Sequence, residues 1–257
     1  MALMDEFKKE REAMKTKPLK DKIEYIIDYY KAPIIGVLIA VIVISNLIYA
    51  KVTAKEEILS GLLINTNSSG SASFEENLST ISDDFLTSIG LDIKKNAVTL
   101  NNSITYTHSD DAQANYYNTE SMMVILAQVA SGSVDFMTGD VDTLVMLAYK
   151  DYFCDLSEVL SEEDYATYAP YFLYIDGAII EKIESMHPED AATTEIVYPD
   201  CTQPETMEKP IPVLIDMSQS ETIEKIYGTS SEKTICLAFT GNMPHPENAL
   251  KFFKFLM

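Results

Sequence analysis

SGSVDFMTGDVDTLVMLAYKDYFCDLSEVL, residues 131–160, decides the fold class because its apolar residues change period halfway along. Residues 134–138 are a short run with the apolar and β-branched character of a strand. Asp140 follows as a helix N-cap, where a carboxylate accepts from amides that have no partner within the helix. Leu144, Val145, Leu147 and Ala148 then recur at helical spacing. The chain continues through two capping boxes, Asp155 with Glu158 and Ser161 with Asp164, before Pro170 ends the helical stretch. A strand that feeds directly into a helix is the repeating unit of α/β architecture.

The alternation extends outward in both directions. Upstream, ILSGLLIN at 58–65 reads as a buried strand, and the turn-rich NTNSSGSAS after it reads as a loop. Ser73 with Glu76 predicts a helix start, and Phe74, Leu78, Ile81, Phe85 and Ile89 share one face up to Gly90. Residues 97–100 and 103–107 read as extended, broken at Asn101-Asn102. Thr119 then opens a helix with Met122, Met123, Ile125, Leu126 and Val129 expected to face inward, ending near Gly132. Downstream, a strand at 171–175 meets a turn at Asp176-Gly177, and 185–209 reads as a surface loop. A strand at 211–216, a helix over 221–227 stopped by Gly228, a strand at 234–240 and a helix starting at Pro246 complete the pattern. Residues 58–257 are therefore expected to form one α/β domain: a single sheet with helices on both faces.

Charge divides the 257 residues into unlike parts. The net charge is −21, which argues against a nucleic-acid partner. Residues 1–31 carry 8 basic and 7 acidic side chains, 32–50 carry none, and 51–257 carry 11 basic and 33 acidic. APIIGVLIAVIVISNLIYA at 32–50 has about the ~20 residues that cross ~30 Å of hydrocarbon as a helix. Tyr25, Tyr29 and Tyr30 precede it and Tyr49 closes it, as amphipathic rings do at membrane interfaces. Five lysines (15, 17, 20, 22 and 31) on the amino side, against Lys51 and Lys55 beyond, predict a cytoplasmic amino terminus. The expected organisation is a cytoplasmic amphipathic segment at 1–31, a transmembrane helix at 32–50, a linker at 51–57 and an extracellular domain at 58–257. A cleaved signal peptide is the rival, because Val52-Thr53-Ala54 resembles a cleavage site.

Two resemblances refine this expectation. IEYIIDYYKAPIIG at 23–36 resembles the juxtamembrane segment of single-pass membrane proteins of Firmicutes, clostridia especially, and implies a location in the cell membrane. The stretch 131–160 resembles type II extracellular solute-binding proteins, with Ser131, Gly132, Asp135, Tyr152, Phe153, Asp155 and Leu156 where that family's pattern puts them. IPVLIDMS at 211–218 and HPENALKFFKFLM at 245–257 are similar to that family's hinge-directed strand and to a helix packing on its first lobe. The resemblance implies a periplasmic-binding-protein-like fold. Members of the family are much longer, so only one lobe is expected here, without a second to close over a ligand. The absence of Trp weakens a sugar ligand without excluding it, because the 15 Tyr can substitute as stacking rings.

No catalytic residue is expected. His108, His187 and His245 lack metal-ligand spacing, so no metal or other cofactor is called for. No Gly-x-Ser-x-Gly or Cys-x-x-Cys occurs, and the acidic pairs lack calcium-loop spacing. Three cysteines outside a membrane permit one disulfide, Cys154 with Cys201, and leave Cys236 as a core residue. Ligands of α/β sheets sit at the carboxyl ends of strands. Asn65, Thr66 and Asn67; Thr138, Gly139 and Asp140; Asp216 and Ser218; and Thr240, Gly241 and Asn242 are therefore the candidate ligand loops. Asp142 adjoins them. The partners expected are the lipid bilayer and either a small solute or another cell-envelope protein that uses the domain as a scaffold. The choice between them rests on whether the strand-end loops form a pocket or a flat surface.

Overall fold

The computed structural model describes residues 18–66, 72–107, 112–186, 196–228 and 233–257, with backbone alone at 22, 24–34, 52, 72 and 112–115. The chain divides into two compact units, Met1–Ala54 and Lys55–Met257.

The described part of the first unit is one helix, α1 (Leu19–Thr53), of 35 residues. The amphipathic stretch and the apolar stretch are thus continuous, with Pro33 inside the helix. The side chains from Ile35 to Tyr49 are exposed and almost wholly apolar. Two polar side chains of α1 bond locally: Asn46 Nδ2 donates to the Ile42 carbonyl (2.9 Å) and Thr53 Oγ1 to that of Tyr49 (2.7 Å), which lowers the cost of an apolar environment. Among the described residues no helix is long and apolar enough to cross a membrane. The uncharged stretch with described side chains, 35–50, is about 24 Å long at ~1.5 Å per residue, short of ~30 Å of hydrocarbon. The side chains of residues 32–34, which complete the expected span, lie outside the description.

The second unit is built on a six-stranded sheet ordered β2-β1-β3-β6-β5-β4. Its elements, in chain order, are β1 (Glu56–Leu63), α2 (Ala72–Ser88), β2 (Asn96–Asn101), α3 (Ala112–Ala130), β3 (Phe136–Asp140), α4 (Val141–Ala148), α5 (Leu156–Val159), α6 (Glu162–Tyr168), β4 (Phe172–Asp176), α7 (Gly177–Ser185), β5 (Pro210–Asp216), α8 (Glu221–Tyr227), β6 (Ile235–Phe239) and α9 (Pro246–Leu256). β1 pairs in parallel with β2 and β3, while β6 runs antiparallel to β3 and to β5, and β4 antiparallel to β5. The sheet is therefore mixed: β1, β2, β3 and β5 point one way, β4 and β6 the other.

Strand alternation sorts side chains into two cores. In β6, Ile235, Leu237 and Phe239 face one layer, with Phe85 of α2, Ile223 of α8 and Phe252 and Phe253 of α9. Cys236 and Ala238 face the other, with Ile125 of α3, Leu144 and Leu147 of α4 and Ile179 of α7. Each fully buried large apolar side chain contributes about 1.5–3 kcal/mol. At the centre, β1 has Gly61 because a Cβ there would run into the Phe136 ring. Phe136 in turn packs on Phe252, ring centroids 5.2 Å apart.

The helices start and stop where side-chain chemistry places the ends. Asp140, Asp155, Ser161 and Ser220 each accept a backbone N–H at the starts of α4, α5, α6 and α8, and Gly228 ends α8 at φ 83°. Four expectations need correction. Ser73 lies inside α2, which already begins at Ala72. Residues 103–107 form no strand. α3 begins at Ala112 instead of Thr119 and turns Met123 and Leu126 outward. The Asp176-Gly177 turn opens α7, where Asp176 caps Ala178 N and its carboxylate also accepts from Glu208 N and Lys209 N.

Candidate functional site

Strand direction determines which loops meet. At one edge of the sheet β1, β3 and β5 end and β6 begins, with Asp140 beside Ile235 and Asp216 beside Cys236. Asn65, in the left-handed region at φ 59°, which Asn tolerates better than most residues, ties this edge together. Its Nδ2 donates to Asp140 Oδ2 (2.7 Å) and its Oδ1 accepts from Tyr106 N (2.6 Å). Asp140 also accepts from Thr143 N (3.1 Å) and Thr143 Oγ1 (3.0 Å), and Lys233 Nζ stands 3.4 Å away. Burial raises the pKa of Asp140, but the donors from Asn65 and Thr143 and the charge of Lys233 outweigh it and hold the carboxyl below the usual aspartate range. Lys233 reaches on to Asp142 Oδ2 at 3.2 Å.

Beside this network lies a groove of about 660 Å³ between α4, the end of β5, Thr234 before β6, the start of β4 and the segment 198–202. Its floor is apolar, from Val145, Met146 and Leu173, and its rim carries Asp142, Asp200 and Asp216. The outer wall is pinned: Tyr198 stacks on Tyr149, centroids 4.2 Å apart, and Tyr174 N donates to the Cys201 carbonyl (2.8 Å). Tyr149 Oη accepts from Asp176 N (3.0 Å), which anchors the same corner. The three carboxylates have local partners: Asp142 with Lys233, Asp200 with Thr202 N and Oγ1, and Asp216 with Ser218 N and Oγ. Among the described residues no group of three or more His, Cys, Asp or Glu is placed to hold a metal ion.

The expected ligand loops fall into two sets. Asn65, Thr66, Thr138, Gly139, Asp140, Asp216 and Ser218 lie at or next to this edge, and of these Asp216 lines the groove. Thr138 is taken up structurally, its Oγ1 2.7 Å from the buried Tyr227 hydroxyl. The Thr66 hydroxyl is buried and has no hydrogen-bond partner among the described residues. Asn67 lies outside the described residues, as do His108 and His187. Thr240, Gly241 and Asn242 are at the opposite edge, because β6 runs antiparallel and its carboxyl end meets the start of β3. There Thr240 N donates to the Asp135 carbonyl (3.0 Å) and Asn242 packs against Gly132. Those three residues share no site with the others.

The opposite edge has its own centre. Asp135, fully buried, accepts from Ser60 N (2.8 Å), His245 N (2.5 Å) and His245 Nδ1 (3.1 Å), joining β1, β3 and the start of α9. The structure does not bring Cys154 and Cys201 together: all three thiols are free. Cys154 packs in the α9-side core and Cys201 in the α4-side core. Burial pushes the Cys154 thiol up to about 12 and raises those of Cys201 and Cys236 as well, the reverse of what a reactive thiolate needs. Sequence reading missed the wall at 198–202 and the floor from Leu173. The wall sits in a stretch without periodicity, and Leu173 faces a groove that only the β4–β5 pairing creates.

No family model matches the chain, and no curated protein matches it. Among solved structures, an ABC substrate-binding protein of Listeria monocytogenes in complex with cycloalternan is 13% identical, with a TM-score of 0.25 over 52% of this chain and 35% of that one. The PBP AgtB of Agrobacterium tumefaciens R10, in complex with agropinic acid, is 12% identical, with a TM-score of 0.33 over 79% and 78% of the two chains. The PBP AttC of A. tumefaciens C58, open and unliganded, is 10% identical, with a TM-score of 0.32 over 79% of each chain. The chain thus spans about a third of the length of the first of these proteins. Such identities and TM-scores establish no shared family.

Proposed function

We propose that the chain is a membrane-anchored, extracytoplasmic binding protein that holds a small solute in the groove at the carboxyl edge and performs no chemistry on it. The groove carries this reading. Its volume of about 660 Å³ falls within the ~300–1,000 Å³ of small-molecule sites, it combines an apolar floor with a few polar groups, and it lies where α/β sheets take ligands. The carboxylate rim disfavours anions by simple Coulomb repulsion, so the solute is neutral or cationic with an apolar part. The thiols raised by burial and the commitment of His245 Nδ1 to Asp135 support binding over catalysis.

Thermal-shift measurement of the full chain against sugars, amino acids, short peptides and amines tests this, since a ligand that binds the folded state alone raises the melting temperature. A hit is expected to lose its shift in Val145→Trp, which fills the groove floor. An equal shift in that variant, or no hit in any class, would overturn the groove reading.

The anchor rests on the uncharged stretch 32–50, its tyrosine and lysine flanks and the continuity of α1. Protease added to intact cells is expected to digest residues 55–257 and spare an epitope at the amino terminus. Protection of both ends would sink the anchor. A second reading, an envelope scaffold without a solute, is favoured by one observation, the exposed apolar face of α3.

A further inference from the structure

The groove at the carboxyl edge is charged unevenly. On its α4 side the carboxylates have a cation: Lys233 Nζ stands 3.2 Å from Asp142 Oδ2 and 3.4 Å from Asp140 Oδ1. Asp216 and Asp200 line the same groove without one. Among the described residues no Lys, Arg or His forms an ion pair with either, and every donor they meet is neutral. Asp200 Oδ1 accepts from Thr202 N and Oγ1, and its Oδ2 from Gln203 Nε2 (3.1 Å). Asp216 is the less satisfied of the two. Half-buried at the end of β5, it accepts from Ser218 N and Oγ at Oδ1 alone, and its Oδ2 accepts from none of the described residues.

We infer, building on the groove as the solute site, that the solute is an organic cation: a protonated amine that bonds to Asp216 and lays an apolar body on Val145, Met146 and Leu173. Covering Asp216 with a wholly apolar solute would strip water from a carboxylate and return nothing, which is costly. A hydroxyl returns a hydrogen bond to Oδ2, but a bond assisted by charge on both partners is roughly twice as strong. An ammonium donates and neutralises at once.

The surroundings narrow the cation further. A bare metal ion fits poorly, because among the described residues no three His, Cys, Asp or Glu are placed to hold one, and a hydrated ion gains nothing from an apolar floor. Lys233 already supplies the positive charge beside Asp140 and Asp142, so the uncompensated negative charge, and with it the amine, belongs at Asp216. Asp200 on the outer wall adds to that field. The Thr202 amide holds its carboxyl below the usual aspartate range, so it stays ionised at neutral pH. Val145, Met146 and Leu173 then give the rest of the solute a surface on which to leave water.

Isothermal titration calorimetry of the full chain in mild detergent, with one ring in three charge states, tests the assignment. Cyclohexylamine is expected to bind roughly tenfold more tightly than cyclohexanol, and cyclohexanecarboxylate to show no binding. Methylamine, the same charge without the ring, is expected to bind roughly tenfold more weakly than cyclohexylamine. Asp216→Asn keeps an oxygen for Ser218 and removes the charge. It is expected to weaken cyclohexylamine roughly tenfold and cyclohexanol by less than about twofold, with the melting temperature unchanged. Asp84→Asn, which removes an equal charge from α2 in the other layer, is expected to leave both affinities unchanged, and Val145→Trp to abolish both. Cyclohexanol binding as tightly as cyclohexylamine, with both lost in Val145→Trp, would overturn the cationic assignment and leave the groove standing. Cyclohexylamine binding that survives Val145→Trp would remove the groove and the assignment together. Methylamine binding as tightly as cyclohexylamine, or equal losses in Asp216→Asn and Asp84→Asn, would reduce the effect to the general attraction of an acidic protein and overturn it. So would an absence of binding by all three ring compounds.

Discussion

Replacing Asp135 by alanine is expected to lower the stability of the α/β unit by about 3 kcal/mol, which moves the urea midpoint by roughly 1.5 M at an m value near 2 kcal/mol/M. The reason is local and countable. The carboxylate is fully buried and accepts from Ser60 N, His245 N and His245 Nδ1. Alanine cannot accept, so the Ser60 and His245 amides lose their partners where water reaches poorly, at about 1–3 kcal/mol for each buried group left unsatisfied. The loss falls on three elements at once, because Asp135 is where β1, β3 and the approach to α9 meet. His245→Ala should cost much less, about 1 kcal/mol, since it removes one donor from a partly exposed ring and leaves both amides bonded. Near-ultraviolet circular dichroism of the full chain in urea reads both variants. Equal midpoints for Asp135→Ala and His245→Ala would refute Asp135 as the joint of this edge.

Phe252→Ala is expected to cost about 4 kcal/mol, at the upper end for buried large-to-small changes. Phe252 is 1% exposed and touches three aromatic neighbours: Phe85 edge-on with centroids 4.9 Å apart, Phe136 at 5.2 Å and Phe255 at 6.1 Å. It therefore couples α9 to α2 and, through Phe136 and the space above Gly61, to the centre of the sheet. Truncation removes the transfer energy of the ring and leaves a cavity that the rigid β1–β3 pair cannot collapse to fill. Phe255→Ala, on the half-exposed side of the same helix, should cost no more than about 1.5 kcal/mol. Denaturation midpoints that ranked the two variants the other way would mean that α9 is seated by its outer face.

Much of the second unit was legible because its signals are short-range. The N-caps at Asp140, Asp155 and Ser161, the stop at Gly228 and the period changes around 134–148 all act within one helical turn or one strand, so residues close in sequence carry them. Helix α7 was missed for a related reason. Asp176-Gly177 is equally good turn chemistry and N-cap chemistry, and the choice was made by Glu208 and Lys209, whose amides converge on the Asp176 carboxylate from 32 and 33 residues away. The facing of α3 failed differently. Met123 and Leu126 are as apolar as Ile125, and hydrophobicity alone does not say which of three adjoining faces meets the sheet.

By itself the sequence determined what composition and local chemistry can determine. It separated an acidic α/β unit from an uncharged helical segment, set most element ends, placed helices on both faces of one sheet, and marked the strand-end edge where Asp216 and Asp142 line a groove. Tertiary structure alone decided strand direction. An antiparallel β6 sends Thr240, Gly241 and Asn242 to the edge away from Asn65 and Asp140, and the antiparallel β4–β5 pair brings Leu173 and the 198–202 wall against α4 to enclose the groove. The physical reason is that a strand's residues alternate identically whichever way it runs. Direction is set by which partner strand satisfies its backbone amides and carbonyls, and for β6 those partners lie in β3, about a hundred residues upstream, and in β5.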